Sequence, residues 1–248
     1  MHNVLFDTNI FLSLVIPHDI WKSLITNLLM EMKDYKKQSK VVFLITDLIM
    51  REISGKAFQV SKFINDQIRI IYNNLDDTDK PIDKKKIQEI ELEFQKRILA
   101  QQNPRTRIRN RNLIVFVEEF ILNELNENSS QSIDEIFQKS IQFFSSFDTT
   151  MVTMTNNFVV ENGINQINFP KEKDTKALIR KIGKSLNLKN YSDQRILSFF
   201  IYYLQQQKES GLFITFDFGD LLSRSKQINE KYPDVLITRP SYIKCYLD

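Results

Sequence analysis

The sequence predicts an α/β fold built around a central parallel sheet, and three observations carry that prediction. Short runs of β-branched and aromatic residues near the start of the chain, "NVLF" (3–6) and "VVFLIT" (41–46), are each followed by helical periodicity. The end of the chain repeats the theme, with "GLFITF" (211–216) and "DVLIT" (234–238) bracketing a short helix around "DLLSRSKQI". Between about residues 56 and 190 no convincing strand is found, only apolar positions at three-to-four spacing. The expectation is a three-layer α/β/α domain spanning residues 1–248, with a large, mainly helical insertion at about 80–170.

The elements follow in order. The first strand is a buried apolar run that ends on Asp7. The second leads into a helix through "DLIMREIS", in which Glu52 lies four residues after Leu48 and three after Ile49 and so shares their apolar face. The helical middle carries stripes at Ile87, Ile90, Phe94 and Ile98, and at Leu113, Phe116, Val117, Phe120 and Ile121, read as core packing. The polar segment "ELNENSSQSIDE" separates two of its helices. In "NYSDQRILSFFIYYL", Asp193 heads a buried stripe of Ile196, Leu197, Phe200, Ile201 and Leu204, with Ser192 as a candidate N-cap. The strand "GLFITF" closes on Asp217, and Asp220 follows at a helix start.

Composition narrows the chemistry. The 5 glycines among 248 residues leave little material for phosphate-cradling loops. A lone cysteine, Cys245, gives no internal disulfide, and His2 and His18 alone cannot assemble a Cys/His zinc site. A metal held here must be held by oxygen. Apolar runs such as "ILSFFIYYL" fall far short of the ~20 residues that cross a bilayer, and no signal-type segment opens the chain, so the expectation is a cytoplasmic protein with no membrane partner.

Asp7 stands where the first strand of a parallel sheet ends, the edge at which ligands of such sheets bind. It is also a good cap for the helix that follows, and Asp217 and Asp220 have the same alternative reading. Projected toward one crevice, Asp7, Glu52, Asp193 and Asp217 repel one another unless a divalent cation neutralises them, and hard oxygen ligands select Mg²⁺ or Mn²⁺. Carboxylate sites of this kind catalyse in-line displacement at phosphorus. The phosphoaspartyl alternative needs a second acid two residues after the first, where this chain has Asn9.

Taken in order, "FDTNIFL", the acid in "REI", "SDQRIL" and "TFDFGDL" resemble the motifs of PIN domains, a family of metal-dependent nucleases. The resemblance covers the first ~60 and last ~60 residues and leaves the helical middle unmatched. It implies metal ligation by Asp7, Glu52, Asp193 and Asp217, polar support from Asn9 and Thr215, and a role that Asp220 can share. The residue before the last acid, often small and polar in the family, is Phe216 here. The implied activity is hydrolysis of RNA phosphodiester bonds by two-metal-type attack of water, in a toxin, antiphage-defence or RNA-processing setting, with room for an inhibitory protein partner and a homodimer. A structure-specific DNA nuclease and a degenerate nucleic-acid-binding or scaffold module are the alternatives.

Net charge is only +3, but the middle of the chain is basic. "PRTRIRNRN" places Arg105, Arg107, Arg109 and Arg111 at every second residue, as suits an extended arm or a helix start reaching for phosphates. A second basic stretch, residues 171–189 with Lys181 and Lys184, leads into Asp193. Both are candidate nucleic-acid contacts, and a solvated charged face is the plainer reading of each.

Overall fold

A strand buried on both faces can be apolar at every position, and the first strand is such a strand. In the computed structural model, which describes residues 2–38, 41–76, 78, 82–103, 106–128 and 131–247, β1 (His2–Phe6) pairs in parallel with β2 (Val41–Thr46) on one side and β4 (Gly211–Ile214) on the other. Val4 lies opposite both Phe43 and Leu212, and Val4, Leu5 and Phe6 are buried. β3 (Asn165–Ile167) extends the sheet beyond β2, and β5 (Val235–Thr238) extends it beyond β4. The order is β3-β2-β1-β4-β5, all parallel.

Helices α1 (Thr8–Val15), α2 (Lys22–Lys37), α8 (Lys173–Leu186), α9 (Tyr191–Gln207), α10 (Ser225–Lys231) and α11 (Lys244–Leu247) belong to the sheet unit. Its core is aromatic at the sheet surface: the Phe6 ring lies 5.7 Å from Phe43 and 6.2 Å from Phe11, and Phe200 lies 6.3 Å from Phe213. The four expected strands are present.

β3 was not expected. It is three residues long, reads Asn-Gln-Ile, sits at the sheet edge and is largely exposed, so it carries neither an apolar run nor an alternation.

A second unit comprises residues 16–19 and 54–153. It takes most of α3 (Asp47–Asn73), then α4 (Lys84–Leu99), α5 (Arg107–Glu127), α6 (Ile133–Ser145) and the start of α7 (Phe147–Glu161). The expected insertion began at about 80. The helical unit instead begins at Ser54, inside a helix whose unbroken periodicity hides the change of unit, and ends before β3 returns to the sheet. Its core includes Ile90, Phe94, Leu113, Val117 and Ile121 of the expected stripes, with Phe116 5.7 Å from Phe144. Ser132 and Glu135 form a capping box that opens α6 at the end of the polar segment. Among the described residues, no helix is long and apolar enough to cross a membrane.

Gly211 begins β4 where a side chain has no room. A Cβ there would meet the Phe200 ring at 2.6 Å and the Asn3 carbonyl oxygen at 2.9 Å. Gly211→Ala is expected to cost about 1–3 kcal/mol by overpacking, read as a lower urea midpoint with an unchanged slope. A midpoint at or above wild type would contradict the close approach.

Candidate functional site

The chain builds outward from β1 to β2 and β3, then returns to the other flank of β1 as β4 and β5. The strand order therefore reverses between β1 and β4, and in open parallel sheets the crevice at the carboxyl ends of such a pair is where ligands bind. The first residue past β1 is Asp7. Thr215, Phe216 and Asp217 follow directly from β4.

Asp7 is 3% exposed, and a carboxylate at that depth needs donors. Its backbone N–H donates to the Ile214 carbonyl (2.9 Å), continuing the β1–β4 ladder by one residue. One carboxylate oxygen accepts from the Thr8 N–H (2.7 Å), and the other from the Thr215 hydroxyl (2.7 Å). The same Thr215 hydroxyl accepts from the Asp217 N–H (2.9 Å). Asp7 thus caps α1 and at the same time bonds across the reversal.

Glu52 is half-buried one turn into α3. Its Oε2 accepts from the Thr8 hydroxyl (2.8 Å) and from the Ser192 hydroxyl (2.9 Å). Thr8 therefore serves two acids, donating its backbone N–H to Asp7 and its hydroxyl to Glu52. Ser192 was expected to cap α9. Asn190 does so instead, its side chain accepting from the Ser192 N–H (2.9 Å), which leaves the Ser192 hydroxyl for Glu52. Asp193, the next residue, is 7% exposed on the face that also buries Ile196, Leu197, Phe200, Ile201 and Leu204.

Asp217 is half-buried, and its Oδ1 accepts from the N–H groups of Gly219 (2.9 Å) and Asp220 (3.1 Å) in a tight turn. Phe216 stacks on Trp21 with ring centroids 4.8 Å apart, so an aromatic residue before Asp217 has a packing role. Asp220, expected to share in metal ligation, is committed elsewhere. Its Oδ2 accepts from the N–H groups of Lys189 (2.6 Å) and Asn190 (3.3 Å), and its Oδ1 from the Arg224 guanidinium (3.0 Å). That carboxylate pins the loop that leads into α9.

The donors fit a hard cation in kind: the carboxylates of Asp7, Glu52, Asp193 and Asp217 offer only oxygen. Asn9 adds a buried side-chain oxygen with no hydrogen-bond partner, an orphaned acceptor of the type a cation satisfies. In arrangement, no group of three or more His, Cys, Asp or Glu among the described residues stands ready to hold an ion. Hydroxyls bond these acids instead, Thr8 and Ser192 to Glu52 and Thr215 to Asp7.

Of the basic candidates, Arg105 lies outside the described residues. Arg107, Arg109 and Arg111 form the first turns of α5, where every-second spacing spreads them around the helix. Arg111 donates to the Ile98 carbonyl at the end of α4 (3.1 Å). Arg109 is exposed, yet desolvation holds its guanidinium below its ordinary value, with Asp19 acting the other way. Lys181 and Lys184 are exposed on α8, and Lys184 lines a cavity between α8 and α9.

Thr215 was expected as polar support, whereas the Thr8 and Ser192 hydroxyls were the part missed. Thr8 follows Asp7, Ser192 precedes Asp193 and Thr215 stands two residues before Asp217, so each acid has a hydroxyl residue close by in sequence. That pairing is the signal that pointed to them. No family model, no curated protein and no solved structure matches the chain.

Thr215→Val removes the donor to a buried carboxylate and is expected to lower the unfolding free energy by about 1–3 kcal/mol. In an Asp7→Ala background the same change should cost much less, because the two residues are coupled. Equal costs in the two backgrounds, measured by urea unfolding, rule that coupling out.

Proposed function

We propose that the chain is a PIN-like, Mg²⁺- or Mn²⁺-dependent endonuclease that hydrolyses RNA phosphodiester bonds. The observation that carries this reading is the position of Asp7: a nearly buried carboxylate at the reversal of a parallel sheet, bonded to the Thr215 hydroxyl across the β1–β4 crevice. Glu52 and Asp193 stand on the first turns of α3 and α9, tied to the same place through Thr8 and Ser192. Partly buried acids at a sheet edge do little for stability, since burial penalises each of them. They have a purpose if a cation joins them.

A bound divalent ion would supply charge stabilisation at phosphorus and a more acidic water. Asp7, Glu52, Asp193 and Asp217 would hold it, with Asn9 as a further oxygen. Thr215 orients Asp7, and Thr8 and Ser192 orient Glu52, so the hydroxyls set which carboxylate oxygens face the crevice. Taking up an ion calls for rotation at Glu52, whose Oε2 is held by two hydroxyls. The cytoplasm, where RNA and millimolar Mg²⁺ coexist, is the compartment this reading implies.

The direct test is cleavage of labelled single-stranded RNA and DNA by the purified protein in Mg²⁺, Mn²⁺ or EDTA. Asp7→Asn is expected to reduce metal-dependent cleavage at least about a hundredfold with the fold intact, and Asp193→Asn to do the same. Wild-type activity in Asp7→Asn sinks the assignment. Cleavage of DNA alone transfers the reading to a DNA nuclease, and binding without cleavage transfers it to a scaffold module.

Metal uptake can be read without activity. Added Mg²⁺ or Mn²⁺ should raise the melting temperature by binding the folded state, and the rise should shrink as acidification lets protons compete for the same oxygens. In Asp7→Asn/Asp193→Asn the rise should be absent. A double variant that gains as much as wild type places the metal elsewhere.

A further inference from the structure

A cavity of about 900 Å³ in the sheet unit opens on the face where α8 and α9 meet the loop that follows β3. Its α8 wall is one helical stripe, Lys176, Ile179, Arg180, Gly183 and Lys184, at three-to-four spacing. Gly183 lets the helices close up at the floor: a Cβ there would stand 3.3 Å from the Gln194 side chain, and Gln194 donates to the Gly183 carbonyl. The loop contributes Phe169 and Lys171 and is anchored by the Phe169 N–H donating to Asp47 (2.8 Å). The α9 wall contributes Tyr191 and Arg195.

Three properties define what fits. The first is charge. Arg51 is paired with Asp47 at 2.8 Å, whereas Lys171, Lys176, Arg180, Lys184 and Arg195 have no carboxylate partner among the described residues. Cations concentrated in a concave site and left unpaired suit an anion with spaced charges. The second is a flat apolar surface. The Arg195 guanidinium lies 5.2 Å from the Phe169 ring and 5.9 Å from the Tyr191 ring, and Tyr191 is 66% exposed. A large aromatic ring held by a guanidinium yet open to solvent is a stacking platform. The third is continuity. A smaller cavity of about 230 Å³ is lined by Glu52 and Ser192, and Arg51 and Arg195 line both spaces. The basic cavity thus adjoins the space lined by Glu52.

We infer that this cavity seats an unpaired nucleotide of a nucleic-acid strand, its base stacked on Tyr191 and its flanking phosphates on Lys176, Arg180, Lys184 and Arg195. The strand's role as substrate rests on the nuclease reading, but its seat does not. A base inside a duplex offers no free face to an aromatic ring, so the site selects single-stranded or locally opened nucleic acid. A free nucleotide would account for charge and stacking but not for the continuity with Glu52.

The test is fluorescence anisotropy of short labelled single-stranded RNA, single-stranded DNA and duplex of the same sequence, in EDTA so that binding is read apart from cleavage. Single strands should bind more tightly than duplex. Tyr191→Ala should weaken single-strand binding about fivefold or more, and Tyr191→Phe should restore it. Lys176→Gln/Arg180→Gln/Lys184→Gln should flatten the log–log salt dependence by about 0.7 for each phosphate no longer neutralised, while Lys226→Gln, on α10 and outside the cavity, should leave it unchanged. Unchanged melting temperatures confirm that these exposed variants fold. Wild-type affinity and salt slope in both the Tyr191→Ala and the triple variant overturn the inference even if metal-dependent cleavage is found. Abolished binding in those variants upholds it even if cleavage is absent, in which case the nuclease reading alone fails. Tighter binding of duplex than of either single strand also overturns it.

Discussion

The hydrogen bond between the Thr215 hydroxyl and the Asp7 carboxylate depends on the strand order, and the candidate site depends on that bond. Only because β4 returns to the flank of β1 do the residues after these strands face each other, with Asp7 donating its own N–H to the Ile214 carbonyl. Were the chain to add strands on one side alone, Asp7 and Asp217 would end on separated strands and no crevice would join them. The reversal also sets the path of α9. It enters the site through a loop held by Asp220, and its first turn delivers Ser192 to Glu52 and Asp193 to the buried face.

What the sequence disclosed follows from which interactions are local. Apolar runs at 3–6, 41–46, 211–216 and 234–238 are intrinsic to the segments, so those strands and their parallel arrangement were legible. β3 was not, since three edge residues gain their structure from β2 and not from their own pattern. The start of the helical unit at Ser54 was hidden for a related reason: α3 is continuous and its periodicity does not change where the packing partner does. At the site, the burial of Asp7 and Asp193 could be read from strand ends and stripe alignment. The commitment of Asp220 could not, because its partners Lys189 and Asn190 are 31 and 30 residues away.

Hydroxyl donors to Glu52 and Asp7 offset part of the cost of burying a carboxylate. Without a counter-ion, adjacent carboxylates destabilise one another, and a neutral donor that bonds one oxygen relieves part of that cost without adding charge. The Thr8 and Ser192 hydroxyls each bond Glu52, and the Thr215 hydroxyl bonds Asp7. In the proposed reading these same bonds keep the acids in usable rotamers until a cation arrives. A hydroxyl suits both tasks, because a neutral bond of about 0.5–1.5 kcal/mol net holds a side chain yet yields to a stronger ligand.

Charge separation on the surface of the sheet unit completes the physical picture. Asp7 follows β1 and Glu52 lines the smaller cavity, while the α8 stripe and Arg195 make the neighbouring wall basic, with Arg51 and Arg195 lining both spaces. Arg51 is paired with Asp47 at 2.8 Å. Glu52 is satisfied by hydroxyls, and the Arg195 guanidinium lies by aromatic rings.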